Sequence, residues 1–315
     1  MSDPLLDALR HRFGHEEFRP GQREVIRSVL DGRPTIAVLP TGGGKSLCYQ
    51  LPAVLCPGTA VVLSPLIALM KDQVDALTAA GVPAAKVTSA DPAAERHEAL
   101  ARLAAGELKL VYAAPERLRS DRFLSALERA SVSLVAVDEA HCVSEWGHDF
   151  RPDYRRIRPL VERLAPPRLA AFTATATPEV REELGDALGM VDPALFVRGF
   201  NRPNLRMMVR RVRSEKERLA QLCDLVRDRA GGRPALVYTA TRKQAEAGAA
   251  PLRSAGLTAS HYHAGLSGPD RHQIQDALLR NPLDPPVATN PFGLGIHKAG
   301  SWVLVHLAFP APLEA

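Results

Sequence analysis

Cysteine is scarce in this sequence. Four occur in 315 residues, at positions 48, 56, 142 and 223, and no two form a Cys-x-x-Cys pair. That spacing argues against a disulfide framework and leaves no ligand set for a zinc knuckle, so no zinc is expected. Aromatic residues are few, 5% of the chain. No apolar run approaches the roughly 18 residues needed to span a bilayer. The first ten residues carry Asp3 and Asp7 and lack the apolar stretch of a secretory signal. No membrane partner is expected, and the reducing cytoplasm is the expected compartment. There is no short tandem repeat. With 46% hydrophobic and 24% charged residues, the composition excludes disorder, collagen and coiled coil. At about 150 residues per domain, the length fits two domains.

The excess of basic residues is uneven. Residues 1–205 carry 25 Lys and Arg against 26 Asp and Glu, whereas residues 206–315 carry 15 against 9. A basic segment attracts nucleic acid, but from charge alone this modest excess fits a solvated surface better, so function has to be read from sites.

Short apolar runs alternate with helical patterns. Expected strands are Thr35–Leu39, Ala60–Leu63, Lys109–Tyr112, Ser133–Val137 and Leu169–Phe172, with helices over Leu66–Ala80 and Pro178–Leu188. A second series follows: strands at Ala235–Tyr238, Thr258–Tyr262 and Trp302–Leu307, helices near Arg242–Ser254 and Ser267–Leu279. This alternation predicts an α/β chain with parallel sheets covered on both faces. The boundary is expected within 199–215, giving domains 1–205 and 206–315.

The strongest local signal is Thr41-Gly42-Gly43-Gly44-Lys45-Ser46, placed between a strand and a helix. Glycines let a backbone fold around phosphates and aim its N–H groups at them, and the helix start adds a positive dipole end. Lys45 would reach the β- and γ-phosphates and Ser46 would ligate Mg²⁺. The full G-x-x-x-x-G-K-[ST] pattern fails at its first position, Leu39, and the plainer alternative is a glycine-rich turn. A second site follows the run Ser133–Val137, which ends in Asp138-Glu139-Ala140-His141. Acids at the tip of a parallel strand lie where ligands bind in such folds, and two solvated acids are the alternative. Asp138 would hold Mg²⁺ and Glu139 would polarise an attacking water.

Asp138-Glu139-Ala140-His141 resembles the DEAH box of superfamily 2 helicases, and 141–152, HCVSEWGHDFRP, resembles the aromatic-rich loop of RecQ helicases. Further matches fall in that family's order. Phe13-Gly14 and Phe18–Gln22 resemble its adenine-reading motif, and Ser64–Gln73 resembles motif Ia. Ala114–Leu118 and Thr173–Ala176 resemble motifs Ib and III, and Phe200–Asn204 resembles the inter-lobe signature. His263–Leu266 and Ala288–Ile296 resemble motifs IV and V. The resemblance implies two tandem RecA-like lobes, the second incomplete, and an ATP-dependent DNA helicase of 3′-to-5′ polarity using ATP and Mg²⁺. A superfamily 2 RNA helicase and an ATP-responsive DNA-binding fragment remain as alternatives, and a small-molecule P-loop kinase is disfavoured.

Residue roles follow. Lys45, Asp138, Glu139 and His141 are the expected catalytic set. Arg19 and Gln22 are expected at the adenine, whose N6/N7 edge suits the Gln22 amide. Thr41, Gly42, Gly43, Gly44, Lys45 and Ser46 are expected at the phosphates, and Thr173 and Thr175 as a relay. The stretch 141–156 holds three of the 16 aromatic residues, Trp146, Phe150 and Tyr154, beside Arg151, Arg155 and Arg156. Aromatic faces stack on unpaired bases while guanidinium groups hold phosphates, and a small satellite core is the alternative. Trp146, Phe150 and Arg151 are therefore expected to contact single-stranded or partly duplex DNA. Ser64, at a helix start, is expected on the DNA backbone.

Two departures from the pattern stand out. Pro282, Pro285 and Pro286 precede motif V and argue against a central strand there, and His297 stands where the family has aspartate. No arginine follows Arg280, so motif VI and its arginine finger, worth about 10³–10⁵ in rate, are missing and impaired activity is expected.

Overall fold

The computed structural model describes residues 3–144, 150–199, 205–229, 235–256, 259–267, 286–289 and 303–307, with 270, 273, 274 and 277. They fall into two compact units, Met1–Arg202 and Pro203–Leu313.

The first unit opens with helices α1 (Pro4–Phe13) and α2 (Gln22–Leu30). The order is then β1 (Thr35–Val38), α3 (Lys45–Leu55), β2 (Thr59–Leu63), α4 (Ile67–Ala79), β3 (Ala84–Val87), α5 (Ala93–Ala104) and β4 (Leu110–Ala113). It continues with α6 (Asp121–Arg129), β5 (Val132–Val137), α7 (Ile157–Leu164), β6 (Leu169–Thr173), α8 (Pro178–Leu188) and β7 (Ala194–Val197). Local chemistry sets the ends. In α8, the Thr177 side chain accepts from Val180 N–H, Pro178 occupies the first turn, and Gly189 closes the helix at φ 70°.

All seven strands pair in parallel, in the order β3-β4-β2-β5-β6-β1-β7. Alternate residues feed two cores, one on each face. Val61, Val111, Val135 and Ala171 meet α5–α8 on one side, and Ala60, Leu110, Ala136 and Phe172 meet α2–α4 on the other. Because every strand runs the same way, all C-terminal ends share one edge. Strands β3 and β7 were not expected from sequence. Ala84-Ala85-Lys86-Val87 lacks the β-branched density of a strand and joins the sheet through its pairing with β4.

The second unit contains α9 (Glu215–Asp224), β8 (Ala235–Thr239), α10 (Arg242–Ser254), β9 (Ser260–Tyr262), β10 (Pro286–Thr289) and β11 (Val303–His306). Its four described strands are parallel, in the order β11-β8-β10-β9. Thr241 starts α10 with a reciprocal capping box to Gln244. The expectation that prolines exclude a central strand before motif V is overturned. Strand β10 lies between β8 and β9, and Pro286 is its first residue, a strand position that tolerates a missing donor. Of the helix expected over 267–279, the described residues Asp270, Gln273, Ile274 and Ala277 are helical, while most of motif V, with Pro291 and His297, lies outside the described residues. No described helix is long and apolar enough to cross a membrane.

Candidate functional site

Strands β2, β5, β6 and β1 are consecutive neighbours, so the residues at or just after their C-terminal ends follow one another along a single edge: Ser64, Asp138, Thr173, then the glycine loop. The Thr173 carbonyl accepts from Leu39 N–H at 3.0 Å, and the Leu63 carbonyl accepts from Asp138 N–H at 2.8 Å, which ties each tip to its neighbour.

The glycine loop is closed by Gly43 N–H donating to Pro40 O at 2.8 Å. Gly42 and Gly44 take φ of 80° and 77°, and Gly44 begins α3 with no side-chain cap. Positive φ is nearly free only for glycine. A Cβ at Gly43 would stand 2.8 Å from Pro40 O, and one at Gly44 would land on Gln22 Nε2. The loop is thus a cradle lined by backbone. Lys45 Nζ donates to Leu39 O at 3.4 Å, and the Ser46 hydroxyl lies beside the buried Tyr49 phenol. Burial pushes the Cys48 thiol up to about 12, opposed by the nearby Lys45 charge.

Gln22 and Arg19, expected at the adenine, are joined here to the loop itself. Gln22 is buried. Its Nε2 donates to Gly44 O at 3.0 Å and its Oε1 accepts from Arg19 N–H at 2.7 Å, while the Arg19 guanidinium donates to Gly42 O.

At the β5 tip, Asp138 is buried and its carboxyl is pushed up to about 7. Burial is the main cause, followed by the Glu139 charge, while Lys45 and the Ser64 hydroxyl pull it down. Glu139 has φ 46°, left-handed backbone that strains a non-glycine residue by about 1 kcal/mol. Its Oε2 stands 3.4 Å from His141 Nδ1. That nitrogen lies 2.9 Å from the Thr173 hydroxyl, which itself donates to Thr175 O at 2.8 Å and so accepts from His141. Asp138, Glu139, His141 and Thr173 therefore form one connected group, with Lys45 close enough to bias the carboxylate.

Ser64, expected on the DNA backbone, lies directly after β2. The residue is 3% exposed, and its hydroxyl lies 3.5 Å from Asp138 Oδ2, so it faces the carboxylate. Trp146 lies outside the described residues. Phe150 is half-buried with the Arg155 guanidinium over its ring at 5.2 Å, and Arg151 N–H donates to Cys142 O at 2.9 Å. Tyr154, in the same stretch as Trp146 and Phe150, had packing against the sheet as its alternative reading. It is fully buried, and its hydroxyl donates to Asp138 O at 2.9 Å. The signal available was its place in a turn opened by Pro152, flanked by Arg155 and Arg156, where one side chain in three points inward.

No group of three or more His, Cys, Asp or Glu able to hold a metal occurs among the described residues. One buried carboxylate and a nearby hydroxyl do fit Mg²⁺, which is usually held by one or two carboxylates plus substrate phosphates.

Comparison with known proteins follows the same line. Residues 19–184 match the family model described as DEAD/DEAH box helicase. The chain is 43% identical over 309 residues to the ATP-dependent DNA helicase RecQ of Bacillus subtilis, covering 98% of this chain and 52% of that protein. It is 39% identical to the RecQ of Pasteurella multocida, covering 100% of this chain and 49% of that protein. The chain thus spans about half the length of the curated relatives it matches. Among solved structures, S. cerevisiae Dbp5 bound to RNA and ADP BeF3 matches with TM-score 0.75 at 17% identity, over 98% of this chain and 79% of that one. The DUF1998 helicase MrfA bound to DNA and AMPPNP matches with TM-score 0.74 at 20% identity, over 98% and 46%. These likenesses carry the fold, tandem RecA-like lobes.

Proposed function

The chain belongs to the DEAD/DEAH box helicase family, and from that premise we propose an ATP-dependent DNA helicase of RecQ type that couples ATP hydrolysis to movement along single-stranded DNA. The observation that carries this reading is the glycine loop and Asp138 standing on one sheet edge with only β6 between them. The 35–43% identity to DNA helicases over nearly the whole chain supports DNA over RNA. The 3′-to-5′ polarity and a cytoplasmic location, nucleoid-associated if the source is prokaryotic, are part of the same reading.

In this mechanism the N–H groups of the Gly42–Ser46 segment and Lys45 hold the triphosphate. Ser46 and Asp138 would hold Mg²⁺, which when bound would supply charge neutralisation at the phosphates. Glu139 orients the attacking water and accepts its proton. His141, fixed by Thr173, keeps the Glu139 side chain turned toward that water. Phe150 and Arg151 hold the strand by stacking and charge, so binding is tolerant of sequence and sensitive to salt.

Nucleotide binding and DNA-stimulated ATP hydrolysis test this. Lys45→Ala should weaken ATP binding by about tenfold or more, as the loss of a charged hydrogen bond of about 1.5–3 kcal/mol requires. Binding unaffected by Lys45→Ala would overturn the nucleotide site. ATP turnover indifferent to single-stranded DNA would overturn the helicase.

A further inference from the structure

The turn Pro152–Arg156 has two faces. Tyr154 points inward, fully buried, and its hydroxyl is the donor to the Asp138 carbonyl at 2.9 Å. Arg155, the next residue, is exposed and stacks on the half-buried Phe150 ring at 5.2 Å. The turn is anchored at its start, where Arg151 N–H donates to Cys142 O at 2.9 Å and Tyr154 N–H donates to Arg151 O at 2.9 Å. One short turn therefore carries a nucleic-acid-type surface on one side and a bond to the Asp138–Glu139 peptide on the other.

That peptide is mechanically sensitive. Glu139 sits at φ 46°, a conformation that persists only while its surroundings hold it. On its C-terminal side the Glu139 carbonyl accepts from Cys142 N–H at 3.0 Å, and on its N-terminal side the Asp138 carbonyl accepts from Tyr154. Rotation of the 138–139 peptide would break the Tyr154 bond and swing the Glu139 carboxylate off the position that His141 holds. Tyr154 was not among the residues expected to act, and its buried hydroxyl has no packing reason to exist, since phenylalanine would fill the same space.

Resting on the helicase reading above, we propose that Tyr154 is a positioning residue: its hydroxyl transmits the occupancy of the Phe150–Arg155 surface by single-stranded DNA to the Glu139 carboxylate. A strand held at that surface fixes the turn, the turn fixes the Asp138 carbonyl, and the carbonyl fixes the backbone from which Glu139 projects. Without the hydroxyl the strand still binds, but its binding no longer reaches the carboxylate.

The test compares the 315-residue chain with Tyr154→Phe and Thr59→Val, measuring ATP turnover with and without oligo(dT) and oligo(dT) affinity by fluorescence anisotropy. Tyr154→Phe keeps the ring and removes one hydrogen bond. Thr59→Val removes an equivalent buried hydroxyl-to-carbonyl bond, 2.6 Å to Leu108 O, at the opposite edge of the sheet. The expected result is wild-type oligo(dT) affinity in Tyr154→Phe, with the ratio of stimulated to unstimulated turnover reduced about tenfold, the worth of one buried hydrogen bond. Thr59→Val should keep full stimulation. Full stimulation in Tyr154→Phe, or equal loss in both variants, overturns the inference and leaves the helicase reading standing. A wild-type chain whose turnover ignores oligo(dT) overturns both. Hydrogen exchange of the wild type gives a readout independent of any variant: the amides of Glu139 and Cys142 should slow on addition of oligo(dT), and unchanged exchange there overturns the inference.

Discussion

Asp138 shows how much of this site is electrostatics imposed by position. A carboxyl at the tip of a buried strand loses water on nearly all sides, and Glu139 adds a like charge beside it. Its ordinary value near 3.8 therefore rises to about 7. The sign for stability follows. Because the folded-state value lies above the unfolded one, ionisation opposes folding, and the contribution present at acid pH is lost as pH rises from about 4 through 7. Asp138→Asn cannot ionise and escapes that loss. Thermal melts without nucleotide should show the variant gaining on the wild type as pH rises, with the difference in Tm larger at pH 8 than at pH 5. An equal difference at both would contradict the buried, like-charged setting. Gln22 shows the opposite limit of residue-level reading. Its residue type suits adenine, yet only the coordinates reveal both ends of its amide engaged with Arg19 and the glycine loop.

At the scale of elements, the loop between β1 and α3 was legible because its chemistry is local. Three glycines before Lys45 have little other use, and two of them do take positive φ. Gly44→Ala should cost about 1–2 kcal/mol from the left-handed backbone alone. It would also displace the buried Gln22 amide, so urea unfolding and nucleotide binding should both suffer. Gly14→Ala is the matched control: φ is 66° at the end of α1 and nothing lies within 4 Å of the new Cβ, so stability should fall by a similar amount while nucleotide binding stays intact. Helix ends were equally legible, and α8 and α10 fall on the expected residues because their caps are written in Thr177-Pro178 and Thr241. Strands were less so. Strand β3 has Ala, Ala and Lys in three of four positions, and β10 starts on a proline, so local propensity opposed both and sheet pairing overrode it.

At the scale of the whole molecule, each unit has its own sheet and its own apolar clusters. The first contains every described residue of the glycine loop and the DEAH segment. A fragment spanning Met1–Arg202 should therefore fold alone, melt cooperatively and bind ATP with close to the affinity of the full chain. Failure to fold would show that the second unit completes the core of the first. Loss of ATP affinity in a folded fragment would show that the second unit contributes nucleotide contacts.

What the amino-acid sequence determined by itself is whatever depends on neighbours along the chain: the alternation of strand and helix, the caps, the glycine loop and the acids at a strand end. Backbone conformation and hydrogen bonding over a few residues suffice for these. What only the tertiary structure decided depends on strand order. Placing β6 between β5 and β1 brings the Thr173 hydroxyl to His141 and Lys45 within reach of Asp138, and packing of the turn at Pro152–Arg156 sets the Tyr154 hydroxyl on the Asp138 carbonyl. Those pairs lie 32, 93 and 16 residues apart in the chain, so no local pattern could join them; the free energy of covering a parallel sheet on both faces does.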